Sequence, residues 1–176
     1  MDVLQIADRA KIRILKDRNV RVLRDTEYGR SFFNGKRWSI VYDDTCSSEQ
    51  IRFTIAHELG HIFLGHRLAR IKYSDAMSFP KQSTIEKQAD MFAIRLLCPS
   101  CVIWGLGLNS PQEIADICHV DIAIAEKRFE RIRVLNKRNK YLTDHTEREL
   151  YEKFSRYISN TVYERERLLP TRPKNF

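Results

Sequence analysis

Residues 52–66 read RFTIAHELGHIFLGH, and within them stands His57-Glu58-Leu59-Gly60-His61, an H-E-x-x-H pattern. Residues four apart share one face of a helix, so both imidazoles can be aimed at a single ion. Zinc with water in an open position generates hydroxide near neutral pH, and a carboxylate beside it moves the protons. Glu58 is placed to be that carboxylate. The flanks predict the helix itself. Ser47-x-x-Gln50 is a capping box that opens it, Ile55, Leu59, Ile62 and Phe63 form a core-facing stripe, and Gly65 is a stop signal. A short pattern can arise by chance on an amphipathic helix. Here, however, a carboxylate at the border of the core is costly without a partner, and a metal removes that cost.

Two histidines need a third protein ligand. One class of zinc enzyme takes a histidine ten positions after the first; that position is Arg67, Leu64 replaces the glycine of its turn, and His66 falls one residue short. The other class takes a glutamate from the following helix. Glu86 lies near the start of a second predicted helix over residues 83–98, and Asp90 follows one turn on, on the same face. Asp90 is then expected to accept the outer N–H of a ligand histidine, His57. Ser83-x-x-Glu86 is also a capping box, which alone would make Glu86 a helix-terminal acid. With H-E-x-x-H upstream and Asp90 downstream, the ligand set His57, His61 and Glu86 is the better reading.

Outward from this pair of helices, the pattern is mostly helical. A helix is expected over residues 3–17, strands over 20–23 and 37–42 with an Asn34-Gly35 turn between them, and a loop over 67–82. Ser110-Pro111-Gln112-Glu113 opens a further helix, a turn near His119 leads to another reaching about residue 135, and a last helix runs over about 146–168 before a loose tail at 170–176. The division expected is a metallopeptidase-like unit over 1–109, a helix-turn-helix-like pair over 110–136 and a helical extension over 137–176.

The chain has 176 residues, 43% of them apolar, and a net charge of +8. That suffices for one domain with a core plus an appendage. No apolar run is long enough to span a membrane and no apolar export signal opens the chain, so a cytoplasmic protein without disulfides is expected from its four cysteines. Cys98-Pro99-Ser100-Cys101 has no second pair and sits at a helix end, so packed thiols are expected rather than redox chemistry. The basic excess is spread out except over residues 127–140, which carry seven basic residues against one acid, Glu130. A solvated face is the plain reading of that run. Phosphate or partner contacts through Lys127, Arg128, Arg131 and Arg133 are the functional one.

FTIAHELGHIFLGH at 53–66 followed by EKQADMFAIRLLCP at 86–99 resembles the ImmA/IrrE metallopeptidases. Members show Phe-Thr-x-Ala-His-Glu-x-Gly-His, then Glu-x-x-Ala-Asn/Asp-x-Phe-Ala and a Leu-Leu-x-Pro ending, and each element stands here. The likeness extends more weakly over about residues 10–135. It implies an α+β fold, a mainly helical zincin-like domain with a small antiparallel sheet and a helical C-terminal extension. It implies a gluzincin-like centre with Zn2+ on His57, His61 and Glu86 and with Glu58 as acid/base. It also implies a protein substrate, a helix-turn-helix repressor often encoded beside the peptidase on a phage or mobile element. Many members carry an N-terminal DNA-binding domain; this chain starts at the peptidase, so its target is expected in trans. The donor for the oxyanion is expected from Tyr73 or His119. His66, also part of the family pattern, is read as a structural residue serving the free carbonyls at the helix end. Two rival readings share these residues: a non-hydrolytic antirepressor or toxin-system component, and a DNA-binding regulator that uses the basic helix.

Overall fold

The computed structural model describes residues 1–66, 82–138, 140, 142–143 and 145–168. Residues 67–81 of the loop expected over 67–82, with Tyr73, and the tail at 170–176 lie outside them, and Gln82 is already helical. The chain begins with α1 (Val3–Arg9), capped by the Asp2 carboxylate, which accepts from the N–H groups of Leu4 and Gln5. The expected helix over 3–17 is thus cut short. Lys11 takes a left-handed φ of 55°, and residues 13–16 become strand β1 (Arg13–Lys16). The Ile12-Arg13-Ile14 alternation pairs with a central strand, and that tertiary contact overrides the helical spacing.

A single turn, α2 (Asp17–Val20), follows. It replaces the strand expected at 20–23, because Asp17 draws the N–H groups of Val22 and Leu23 onto its side chain, at 2.9 and 3.1 Å. The hairpin around Asn34-Gly35 does form, but between β2 (Gly29–Phe33) and β3 (Trp38–Tyr42). Asn34 Oδ1 accepts from the N–H groups of Lys36 and Arg37 in its turn. The sheet order is β1-β3-β2, with β1 parallel to β3 and β2 antiparallel to it. The sheet is therefore mixed rather than antiparallel, since β1 enters from a region assigned to a helix. Among the described residues, β2 is an edge strand.

Against the sheet lies α3 (Ser48–Phe63), with Ser47 Oγ accepting from the Gln50 N–H. Ile55 and Leu59 are fully buried, but Phe63 is 48% exposed and only meets the Phe92 ring at 5.9 Å. The core-facing stripe is narrower than its sequence suggests. Next comes α4 (Gln82–Leu97), packed on α3 and burying Ala89, Ala93 and Leu97. Pro99 caps α5 (Ser100–Gly105). Then follow α6 (Pro111–Cys118), α7 (Ile122–Lys137) and α8 (His145–Leu168). The core runs from Val3 and Ile40 through Leu59 and Leu97 to Ile114, Ile132 and Ile158. Cys98, Cys101 and Cys118 are buried free thiols within it, and burial holds the Cys101 thiol above its ordinary value. Among the described residues, no helix is long and apolar enough to cross a membrane.

The last helix is tied down by one acid. Glu113 accepts from the Asn109 N–H and the Ser110 hydroxyl, while Ser110 Oγ accepts the Glu113 N–H in return, a variant of the capping box whose reciprocal bond reaches the residue before the cap. Its other oxygen accepts from Arg165 of α8 at 2.9 Å, and Arg165 also donates to the Leu106 carbonyl. These bonds hold the Glu113 carboxyl below its ordinary value, the Asn109 N–H contributing most, then Arg165 and Ser110. A depressed carboxyl stabilises the fold above its unfolded pKa, and that contribution is lost as pH falls through its folded pKa. Glu113→Gln is expected to lower unfolding stability by on the order of 1 kcal/mol at neutral pH. Denaturant melts of the two proteins should converge as the pH drops through the carboxylate range.

Candidate metal centre

Helix α3 presents Gln50, Phe53, Thr54, His57 and Glu58 along one side, spaced three and four apart, and they form one wall of a cleft of about 510 Å3. Glu86 and Asp90 of α4 form the facing wall, and Glu27, Tyr28 and Gly29 at the start of β2 close it. Glu58 is 4% exposed and His61 1%, whereas the Glu86 and Asp90 side chains reach solvent. Glu27 is held by Arg30 at 2.6 Å, and chiefly that bond keeps its carboxyl below the ordinary range.

Three acceptor atoms converge at the floor. His57 Nε2 and His61 Nε2 are 3.0 Å apart, and each lies 3.2 Å from Glu86 Oε2. Two imidazole lone pairs and a carboxylate oxygen facing one point repel each other unless a cation or proton sits among them. A tetrahedral ion with bonds of about 2.0–2.1 Å spaces its ligand atoms about 3.3–3.4 Å apart, so these edges fit within a few tenths of an ångström. The donor set, two imidazoles and one carboxylate, is that of an open catalytic site. Asp90 Oδ1 accepts from His57 Nδ1 at 2.9 Å, which leaves Nε2 without a proton and turned toward the cluster.

The approach of α4 depends on Gly60. A Cβ at this position would stand 3.2 Å from the Ala89 Cα and carbonyl oxygen and 3.1 Å from the Phe92 ring. Ala89 sits between Glu86 and Asp90 in sequence, so this tight approach of the two helices lies near the converging atoms.

Other expected site residues sit elsewhere. His119 closes α6 in a left-handed conformation, and its carbonyl accepts from Arg52; it lines a separate groove with Met1, Phe154 and Tyr157. It is therefore not an oxyanion donor for this cleft. Arg128 is 5% exposed, and its Nε donates to the Cys98 carbonyl at the end of α4. A guanidinium committed to that carbonyl is removed from the nucleic-acid-facing set, while Lys127, Arg131 and Arg133 remain exposed, Arg133 paired with Glu130. Ile122 at the start of α7 is 41% exposed, whereas Ala125 and Ile132 are buried. His66, read from the sequence as serving the helix-end carbonyls, makes two side-chain contacts. It is 9% exposed and folds back, with Nδ1 3.2 Å from His61 Nδ1 and Nε2 3.0 Å from Gln88 Oε1. Gln88 and Tyr28 escaped the sequence reading. No periodic pattern marks either, although a glycine after the helix followed at once by a histidine was a signal that the chain turns back.

Residues 7–116 match the model of the IrrE N-terminal-like domain, Peptidase M78. No curated protein matches the chain. The matched segment contains His57, Glu58, His61, Glu86 and Asp90 together.

Gly60→Ala tests the helix contact. The substitution returns about 1 kcal/mol of helix propensity but overpacks a backbone contact at a loss of about 1–3 kcal/mol. A net destabilisation of about 1 kcal/mol is expected by denaturant melt, with weaker metal binding by titration as Glu86 is displaced from the histidines.

Proposed function

The chain belongs to the IrrE N-terminal-like metallopeptidase family, and on that premise we propose that it is a zinc-dependent endopeptidase acting on a helix-turn-helix repressor. The observation that carries the chemistry is the convergence of His57 Nε2, His61 Nε2 and Glu86 Oε2 beside the buried Glu58. These three side chains would hold the ion. Zinc bound there would supply Lewis acidity toward the scissile carbonyl and lower the pKa of a water. Glu58 accepts the proton of the attacking water and delivers it to the leaving amine as the C–N bond breaks. Asp90 keeps the His57 proton on Nδ1, so the ring offers its lone pair throughout.

Substrate binding follows from the sheet edge. Strand β2 begins at the cleft, and its outer side can pair with an extended segment of polypeptide. A folded repressor has to offer such a segment from a loop or linker. The repressor as substrate class is supported by the family resemblance of residues 53–66 and 86–99, and cytoplasmic placement follows from that target. We read residues 1–109 as the peptidase unit, 110–136 as a helix pair braced against it, and 137–176 as an extension.

The decisive experiment is Glu58→Gln with the repressor as reporter. Cleavage is expected to fall by about 10²–10⁴-fold, while zinc content stays at the wild-type level. Full relief of repression by this variant would instead show that binding alone is the activity. Zinc analysis of His57→Ala and Glu86→Ala is expected to show loss of the metal; retention by the Glu86 variant would move the third ligand elsewhere.

A further inference from the structure

His61 turns two nitrogens toward different neighbours. Nε2 faces the cluster, and Nδ1 lies 3.2 Å from His66 Nδ1. The two rings meet edge to face, 5.2 Å between centroids at 74°. Gly65, at a φ of 73°, reverses the chain after α3 and so brings His66 back against the helix it has just left. Of two facing ring nitrogens only one can carry the shared proton. Gln88 Oε1 stands 3.0 Å from His66 Nε2 and accepts its N–H, which leaves His66 Nδ1 a bare acceptor. His61 Nδ1 then donates to it, and His61 Nε2 is left with its lone pair toward His57 and Glu86.

We propose that His66 and Gln88 are positioning residues for His61, a relay that fixes its tautomer and ring angle as Asp90 does for His57. This rests on the reading of His57, His61 and Glu86 as metal ligands. Helix α4 then supplies three things at once. Glu86 joins the cluster, Asp90 supports one imidazole from one flank, and Gln88 supports the other, through His66, from the opposite flank. Ala89, between the supports, is the residue seated on Gly60.

The test measures zinc affinity by competition with a chromophoric chelator and the ligand-field spectrum of the cobalt-substituted protein, beside the melting temperature of each metal-free variant. His66→Phe keeps a ring and removes the acceptor. It is expected to weaken zinc binding by about 10–100-fold and to shift the cobalt bands, with the metal-free melting temperature little changed. Gln88→Leu is expected to give a smaller loss, and Gln88→Glu to restore wild-type affinity, because a carboxylate accepts the same N–H. Gln88 is exposed, so this pair remains informative even if His66→Phe does not fold. Wild-type affinity and spectrum in Gln88→Leu and in any folded His66→Phe overturn the relay, as does a loss in Gln88→Leu that Gln88→Glu fails to restore. In either case, loss of zinc in His57→Ala and Glu86→Ala leaves the ligand set standing. Retention of zinc in those two variants overturns the ligand set itself, and the relay with it.

Discussion

Everything at the centre depends on how closely α3 and α4 approach at Gly60 and Ala89. A side chain at position 60 would hold the helices apart, and the carboxylate of Glu86 would withdraw from two imidazoles fixed on the other helix. The contact is backbone against backbone, so it cannot be relaxed by rotating a side chain. It is flanked by apolar burial, Leu59 and Ile55 on one helix and Ala93 and Leu97 on the other. Polar atoms that would repel one another are therefore pressed together by packing that has no stake in their chemistry.

Two arginines tie the C-terminal helices to the rest of the described chain. Arg128 of α7 reaches the Cys98 carbonyl just past the end of α4, and Arg165 of α8 reaches Leu106 and Glu113. Burying a guanidinium is costly unless its N–H groups are used, and here a carbonyl at a helix terminus, where negative potential concentrates, accepts one of them. The helix pair α6–α7 has the length and turn of a DNA reader, yet this arginine faces inward. The exposed bases left on α7 are Lys127, Arg131, Arg133 and Lys137, and Arg138 follows at its C-terminal cap.

The centre was legible because its chemistry is encoded in fixed spacings on helices. His57 and His61 are one turn apart, as are Glu86 and Asp90, and helical geometry converts both spacings into directions. The pairing of β1 with β3 was not legible, because Ile14 and Leu15 side by side fit a helical apolar face and blur the Ile12-Arg13-Ile14 alternation, and only the neighbouring strand decides. The same limit applied to Asp17, whose side chain captured two backbone N–H groups and turned an expected strand into a helical turn. Arg128 belongs to a run of bases that looks uniformly solvated; which member faces inward depends on α4, which the local sequence does not contain. His66 was visible as a residue but not as a neighbour of His61, since a left-handed glycine specifies a reversal and not what the reversal meets.

His61 and Glu86 are 25 residues apart in the chain. Closing a segment of that length costs about 3 kcal/mol of conformational entropy. In a zinc finger the ion itself must meet such a debt, and removing the ion unfolds the domain. Here the seating of Ala89 on Gly60, within a continuous apolar core, has already met it. The positions of His57, His61 and Glu86 are thus tied to the packing of the two helices. On the proposed ligand set, an ion would enter a fold whose two ligand-bearing helices are already packed on each other.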